Sequence, residues 1–185
     1  MKQARYMAAE RGFTLIELLI VMALVAIILA IAAPSFTTTL TKRRMEGVAA
    51  ELSTDIQYAR SEAAQRNAAV GVVFGASCYT VYVLGTTNAT TCAALGTGGS
   101  ALKNVQVGGG TSLAFAPAVA GAFIAFDPVR GMAVDAAAGT TDLSGAVTVT
   151  NSAGDWQIRA IVTKVGRAKL CSPNNTVTAL ATDCT

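Results

Sequence analysis

Apolar and polar positions divide the 185-residue chain into three regimes. From Leu18 to Ala33 sixteen consecutive residues are apolar, and Phe13, Leu15 and Ile16 extend the run to the ~20 residues that a membrane-crossing helix needs. Glu17 interrupts this segment at an insertion cost of about 2.5 to 3.5 kcal/mol. A carboxylate so placed calls for a partner. Pro34 ends the first regime, and its missing N–H predicts a kink where the helix leaves the bilayer. Ser35 to Arg66 then lacks proline, and Val48, Leu52, Ile56, Ala59 and Ala63 recur at spacings of four, four, three and four, the apolar face of an amphipathic helix. Glu46, Glu51, Asp55, Arg60, Glu62 and Arg66 are assigned mainly to the other faces, with Asn67 as the stop. From Phe13 to Arg66 such a helix would measure about 80 Å at ~1.5 Å per residue.

Beyond Asn67 the period becomes two. Ala69 to Phe74, Tyr79 to Leu84, Leu113 to Ala116, Phe123 to Phe126, Val147 to Thr150 and Trp156 to Val162 are short, β-branched or aromatic, and bounded by Gly, Asn, Asp or Pro. They predict antiparallel strands. Gly85 to Ser100 and the Gly108-Gly109-Gly110 triplet read as loops, and the triplet lacks the Lys-Ser or Lys-Thr of a phosphate loop. The predicted class is α+β, one long N-terminal helix followed by an antiparallel β head.

The residues before the apolar run add a second signal. A secretory signal peptide is cut after its apolar region, whereas here a short leader with Lys2, Arg5 and Arg11 ends in Gly12, directly before Phe13. Gly12-Phe13-Thr14-Leu15-Ile16-Glu17 resembles the type IV prepilin family, with a nearly complete match through Val21. The resemblance implies the pilin fold, cleavage by a membrane aspartyl peptidase after Gly12, methylation of the new amine on Phe13, and pairing of Glu17 with the terminal amine of a neighbouring subunit during filament assembly. Electrostatics points the same way, because an ammonium and a carboxylate in a low-dielectric layer are each costly alone and much less so together. The implied segments are a leader over 1–12, a transmembrane half-helix over 13–33, an amphipathic half-helix over 34–67 and a β-rich head over 68–185. Tyr58-Ala59-Arg60-Ser61-Glu62-Ala63 further resembles the H-type minor pseudopilins and their pilus relatives, the GspH/FimT group. Phe126-Asp127-Pro128 with Gly131 looks like that family's hairpin, and Gly166-Arg167-Ala168-Lys169 like its late Gly-Arg motif.

Charge changes little. The whole chain carries +3, and removing the leader would leave eleven basic and ten acidic side chains, a net +1 that argues against a global nucleic-acid footprint. Cys78, Cys92, Cys171 and Cys184, in an exported head, read as two disulfides with three possible connectivities. Pairing by proximity joins Cys78 to Cys92 and Cys171 to Cys184. No metal site is expected, since the spacings are wrong for zinc and the chain has no histidine. No cofactor is expected either.

Arg159, Lys164, Arg167 and Lys169 gather positive charge near the C-terminal cysteines, and alternation with Trp156, Ile158 and Val162 turns Arg159 toward solvent. In FimT-like minor pilins the resembling Gly-Arg-x-Arg motif implies DNA contact; here Lys169 keeps the last charge without the bidentate geometry of Arg. The alternative is a solvated strand edge on which Lys and Arg discourage pairing. An enzyme is not expected: no GxSxG or HExxH occurs, and Asp127, Asp135, Asp142 and Asp155 sit in turn-like contexts.

The functional expectation is a structural subunit in one of two machines. A minor type IV pilin, with DNA uptake through the basic motif, ranks slightly above pseudopilin H of a type II secretion system. The expected partners are other pilins or pseudopilins, the prepilin peptidase, the inner-membrane assembly platform and DNA. The expected location is the bacterial inner membrane, crossed once with the head in the periplasm, and then a filament. Lys42-Arg43-Arg44 competes for the cytoplasmic side, and the prepilin resemblance decides for the leader inside.

Overall fold

A computed structural model describes residues 12–75, 77–86, 89, 91–92, 98–107, 114–117, 123–134, 145–151, 154–175, 177 and 180–184. The chain forms two compact units, Met1–Leu40 and Thr41–Thr185. The first holds the start of α1 (Leu15–Arg66). Helical structure continues through Pro34, and just beyond it the hydroxyls of Thr38 and Thr39 both donate to the carbonyl of Ser35.

In the second unit α1 turns one face inward. Met45, Ala49, Leu52, Ile56, Ala59 and Ala63 are buried at spacings of four, three, four, three and four, so the stripe is the expected one from Leu52 onward, with Ala49 in place of Val48, which sits at its margin. Asn67 ends the helix in the left-handed region at φ 49°, and the N–H of Ala68 reaches back to the carbonyl of Ala63. This is a Schellman closure, for which Asn is the usual substitute for Gly.

Among the described residues nine strands follow, in two antiparallel sheets. They are β1 (Val70–Phe74), β2 (Cys78–Val83), β3 (Ser100–Gln106), β4 (Ala114–Pro117), β5 (Phe123–Phe126), β6 (Ala133–Val134), β7 (Gly145–Thr150), β8 (Gln157–Val162) and β9 (Ala168–Cys171). The first sheet runs β3-β2-β1-β5-β6 and the second β4-β7-β8-β9. One core joins the inward face of α1 to Val70, Val72, Tyr79, Val81 and Phe126 of the first sheet and Val147, Val149, Ile158, Ala160 and Val162 of the second. A smaller cluster of Val73, Tyr82, Ala89 and Ala125 lies on the opposite face of the first sheet. Both faces of β1 are thereby covered, which is why all five of its residues are buried.

Asp55, expected on a polar face, is instead buried beside Ile56. The Tyr79 hydroxyl donates to it at 2.7 Å, and Lys103 of edge strand β3 reaches it and Glu51. A buried carboxylate is tolerable only when so compensated. Burial, then the bond to Asp55, pushes the Tyr79 phenol well above the usual tyrosine range, and burial pushes Tyr82 up to about 12. The hydrogen bond to Asp55 raises Lys103 as well. A folded-state pKa raised above its unfolded value gives stability that is complete below the unfolded pKa and lost as pH rises through the folded one. The unfolding temperature of the head should therefore hold from neutral pH to about 10 and fall beyond it, where unfolded tyrosine and lysine lose their protons. Tyr79→Phe should flatten that fall in a thermal melt series.

Candidate functional site

Gly12 precedes the helix outside regular secondary structure and is exposed, and Phe13 is 81% exposed. Thr14 caps the helix: its hydroxyl accepts the N–H of Glu17 at 3.3 Å, and its carbonyl accepts the N–H of Leu18. Thr14 is thus the N-cap and Glu17 the third helical residue, the Thr-x-x-Glu spacing of a capping box. The Thr14-x-x-Glu17 spacing is legible in the sequence as a helix start, a role for Glu17 beside those of membrane charge and amine partner. A carboxylate at this position also faces the positive end of the helix dipole. Leu15–Ala32 is long and apolar enough to cross a membrane, the single such window among the described residues. Its large side chains are exposed on every face, so it needs apolar surroundings all round. The leader cations Lys2, Arg5 and Arg11 lie outside the described residues.

Two disulfides, Cys78–Cys92 and Cys171–Cys184, join cysteines fourteen and thirteen positions apart, each worth about 3 kcal/mol by chain entropy. The first holds Cys92 beside the outer face of the first sheet, where the Thr80 hydroxyl donates to the Cys92 carbonyl. The second ties the C-terminal segment to β9, which also meets Ala181 in a parallel bridge.

The four late cations do not share one environment. Lys164 and Arg167 are exposed in the turn between β8 and β9, and Lys169 is exposed on β9, an edge strand. Arg159 is half-buried, with its Nε enclosed and unpartnered among the described residues. The expectation of a solvent-facing Arg159 is corrected here. Its side chain does leave the core face, but β8 is an inner strand with Thr148 and Cys171 at its flanks, and those neighbours crowd it. Asp127 serves backbone geometry: its Oδ1 accepts the N–H of Val129 and its carbonyl that of Gly131. Asp155 is exposed, and Asp135 and Asp142 lie outside the described residues.

Two further cations, Arg60 and Arg130, belong to a corner that the sequence did not display. There the turn after β5 meets the turn after β8, through the N–H of Ala133 donating to the Lys164 carbonyl. Gly131 and Gly166 both have positive φ, and a Cβ on either would stand 3.0 to 3.1 Å from Arg60. Gln57 of α1 donates to the Gly166 carbonyl. Gln57, Arg60, Ser61 and Ala64, at helical spacing, face Pro128 to Gly131 across an open cleft of about 400 Å³.

The family model for the type II transport protein GspH matches residues 48–166, and that for the prokaryotic N-terminal methylation motif matches residues 7–33. Among solved structures, the type IV minor pilin FimU of Pseudomonas aeruginosa is similar at 17% identity over 70% of this chain and 89% of that one, with a TM-score of 0.53. The minor pseudopilin EpsH from the type 2 secretion system of Vibrio cholerae is similar at 12% identity over 70% and 98%, with a TM-score of 0.50. E. coli GspH matches at 11% identity over 73% and 92%, also at 0.50. At these identities the likeness is one of fold: a long N-terminal helix and an antiparallel β head.

Proposed function

The chain belongs to the GspH family, the minor pilins and pseudopilins, and from that premise we propose that it is the H-type pseudopilin of a type II secretion system. The match of the GspH model over most of the head carries this reading, and it moves secretion ahead of the pilus that the sequence alone had favoured. Processing follows the methylation-motif match. The peptidase cuts between Gly12 and Phe13, the Phe13 amine is methylated, and the apolar helix stays in the inner membrane with the head in the periplasm. The Glu17 carboxylate then meets the terminal amine of the subunit below as the assembly platform lifts the chain into the filament. The chain itself catalyses none of these steps, and the family is structural. Deleting the gene should abolish release of secreted proteins while surface pili remain at normal number; normal secretion with lost pili would overturn the proposal.

The second reading, a minor type IV pilin that contacts DNA, draws support from the fold likeness to FimU and from the exposed Lys164, Arg167 and Lys169. Phosphate contact of this kind is insensitive to sequence and strongly weakened by salt. On this reading the chain retards duplex DNA in a gel at low salt, and Arg167→Ala with Lys169→Ala removes most of the retardation. Unchanged retention in the double variant excludes the motif.

A further inference from the structure

We infer that the cleft between α1 and the turn after β5 is a docking site for an acidic loop of a neighbouring filament subunit. The inference rests on the filament reading above and adds to it a surface and a chemistry. Three observations carry it. First, Arg60 and Arg130 line the cleft, and among the described residues neither is ion-paired, whereas Arg43, Arg66 and Lys103 all are. Guanidinium is the group best matched to a carboxylate, which it holds through two parallel hydrogen bonds. The one acid of this turn, Asp127, already has an oxygen engaged by the Val129 N–H.

Second, the rim is apolar as well as cationic. Val129 is 82% exposed and Val165 55% exposed, on the two turns that meet at this corner. A phosphate backbone gains nothing from two outward valines. A protein loop does, since the centres of protein interfaces combine apolar contact with arginine. The pairing therefore favours a peptide carrying Asp or Glu beside an apolar residue over a nucleic acid.

Third, Arg60 is held in place before any partner arrives. It is half-buried, and the backbones of Gly131 and Gly166 close on it where any side chain would intrude. An arginine already fixed by its surroundings loses little freedom on binding. Arg130 is exposed and completes the clamp from the opposite wall.

A photo-crosslinking amino acid placed at Val129 in the full-length chain, in cells assembling the filament, tests this. The expected product is a covalent adduct with another filament subunit, mapped by mass spectrometry to within a few residues of an Asp or Glu. Arg130→Glu should cut the adduct by about tenfold or more, equivalent to ~1.4 kcal/mol, with an unchanged melting temperature. Lysine in place of the mapped acid should restore it. Recovery of the chain in filaments without an adduct, an adduct to nucleic acid or to a segment without acids, or an adduct undiminished by Arg130→Glu overturns the inference and leaves the filament reading standing. Absence of the chain from every filament overturns that reading and this inference with it.

Discussion

Glu17→Ala should leave the chain inserted, cleaved and methylated, and reduce its recovery in sheared filaments by about 100-fold or more. The carboxylate sits in the first turn of α1, whose membrane-length segment Leu15–Ala32 is otherwise apolar. In lipid it is a liability of about 2.5 to 3.5 kcal/mol, so alanine should insert more readily, and any loss must arise at assembly. In the filament, the variant would leave a neighbour's terminal ammonium enclosed without its counter-charge. Removing one member of a desolvated pair costs about 3 to 5 kcal/mol, ample for the expected loss. Replacing Gly12 by a bulky residue should act one step earlier and leave the leader attached.

The capping geometry at Thr14 provides the control that makes the first result interpretable. Glu17 could matter only because it closes the helix start, since Thr14 already bonds its N–H. Glutamine at the third helical position serves a capping box as well as glutamate does, yet carries no charge. Glu17→Gln should therefore preserve the helix and fail in assembly almost as fully as alanine. Normal assembly of the glutamine variant would assign Glu17 to capping and leave the terminal amine without a partner.

Elements with strong periodicity were legible in the sequence, and those held by tertiary contacts were not. The membrane run, the helix stop at Asn67 and six of the strands follow from local pattern, and β1 is an unbroken apolar run because both of its faces are covered. β3 escaped because an edge strand of Ser100-Ala101-Leu102-Lys103-Asn104-Val105-Gln106 has little to bury. Its pairing with β2 and the reach of Lys103 to α1 hold it. β6, with two residues, is too short for a period to show, and β9, Ala168-Lys169-Leu170-Cys171, has none of the aromatic or β-branched residues that mark the equally short β4 and β5. The burial of Asp55 depends on Tyr79, twenty-four residues away, and no local rule connects them. The same limit hid the Arg60 corner. Arg60, Gly131 and Gly166 are far apart in sequence, and only the meeting of two turns over one helix face brings them together.

Gly166 tests how tightly that corner is built. It has φ +74°, and a Cβ there would lie 2.7 Å from the Gly131 carbonyl oxygen and 3.1 Å from Cδ of Arg60. Gly154 has the same φ, +74°, with nothing within 4 Å of an added Cβ. Left-handed backbone alone costs an L-residue about 1 to 2 kcal/mol, so Gly154→Ala should lower the stability of the full chain in detergent by about that amount. Gly166→Ala meets the same backbone penalty and must also displace a peptide oxygen, which cannot swing aside as a side-chain tip would. A total of about 3 to 5 kcal/mol is expected, within the range of severe core substitutions. Chemical denaturation of the two variants side by side isolates the difference, since the shared backbone contribution cancels. Equal losses would mean that the two turns part freely at this point, and Arg60 would then be a mobile surface cation and no longer a fixed half of a carboxylate clamp.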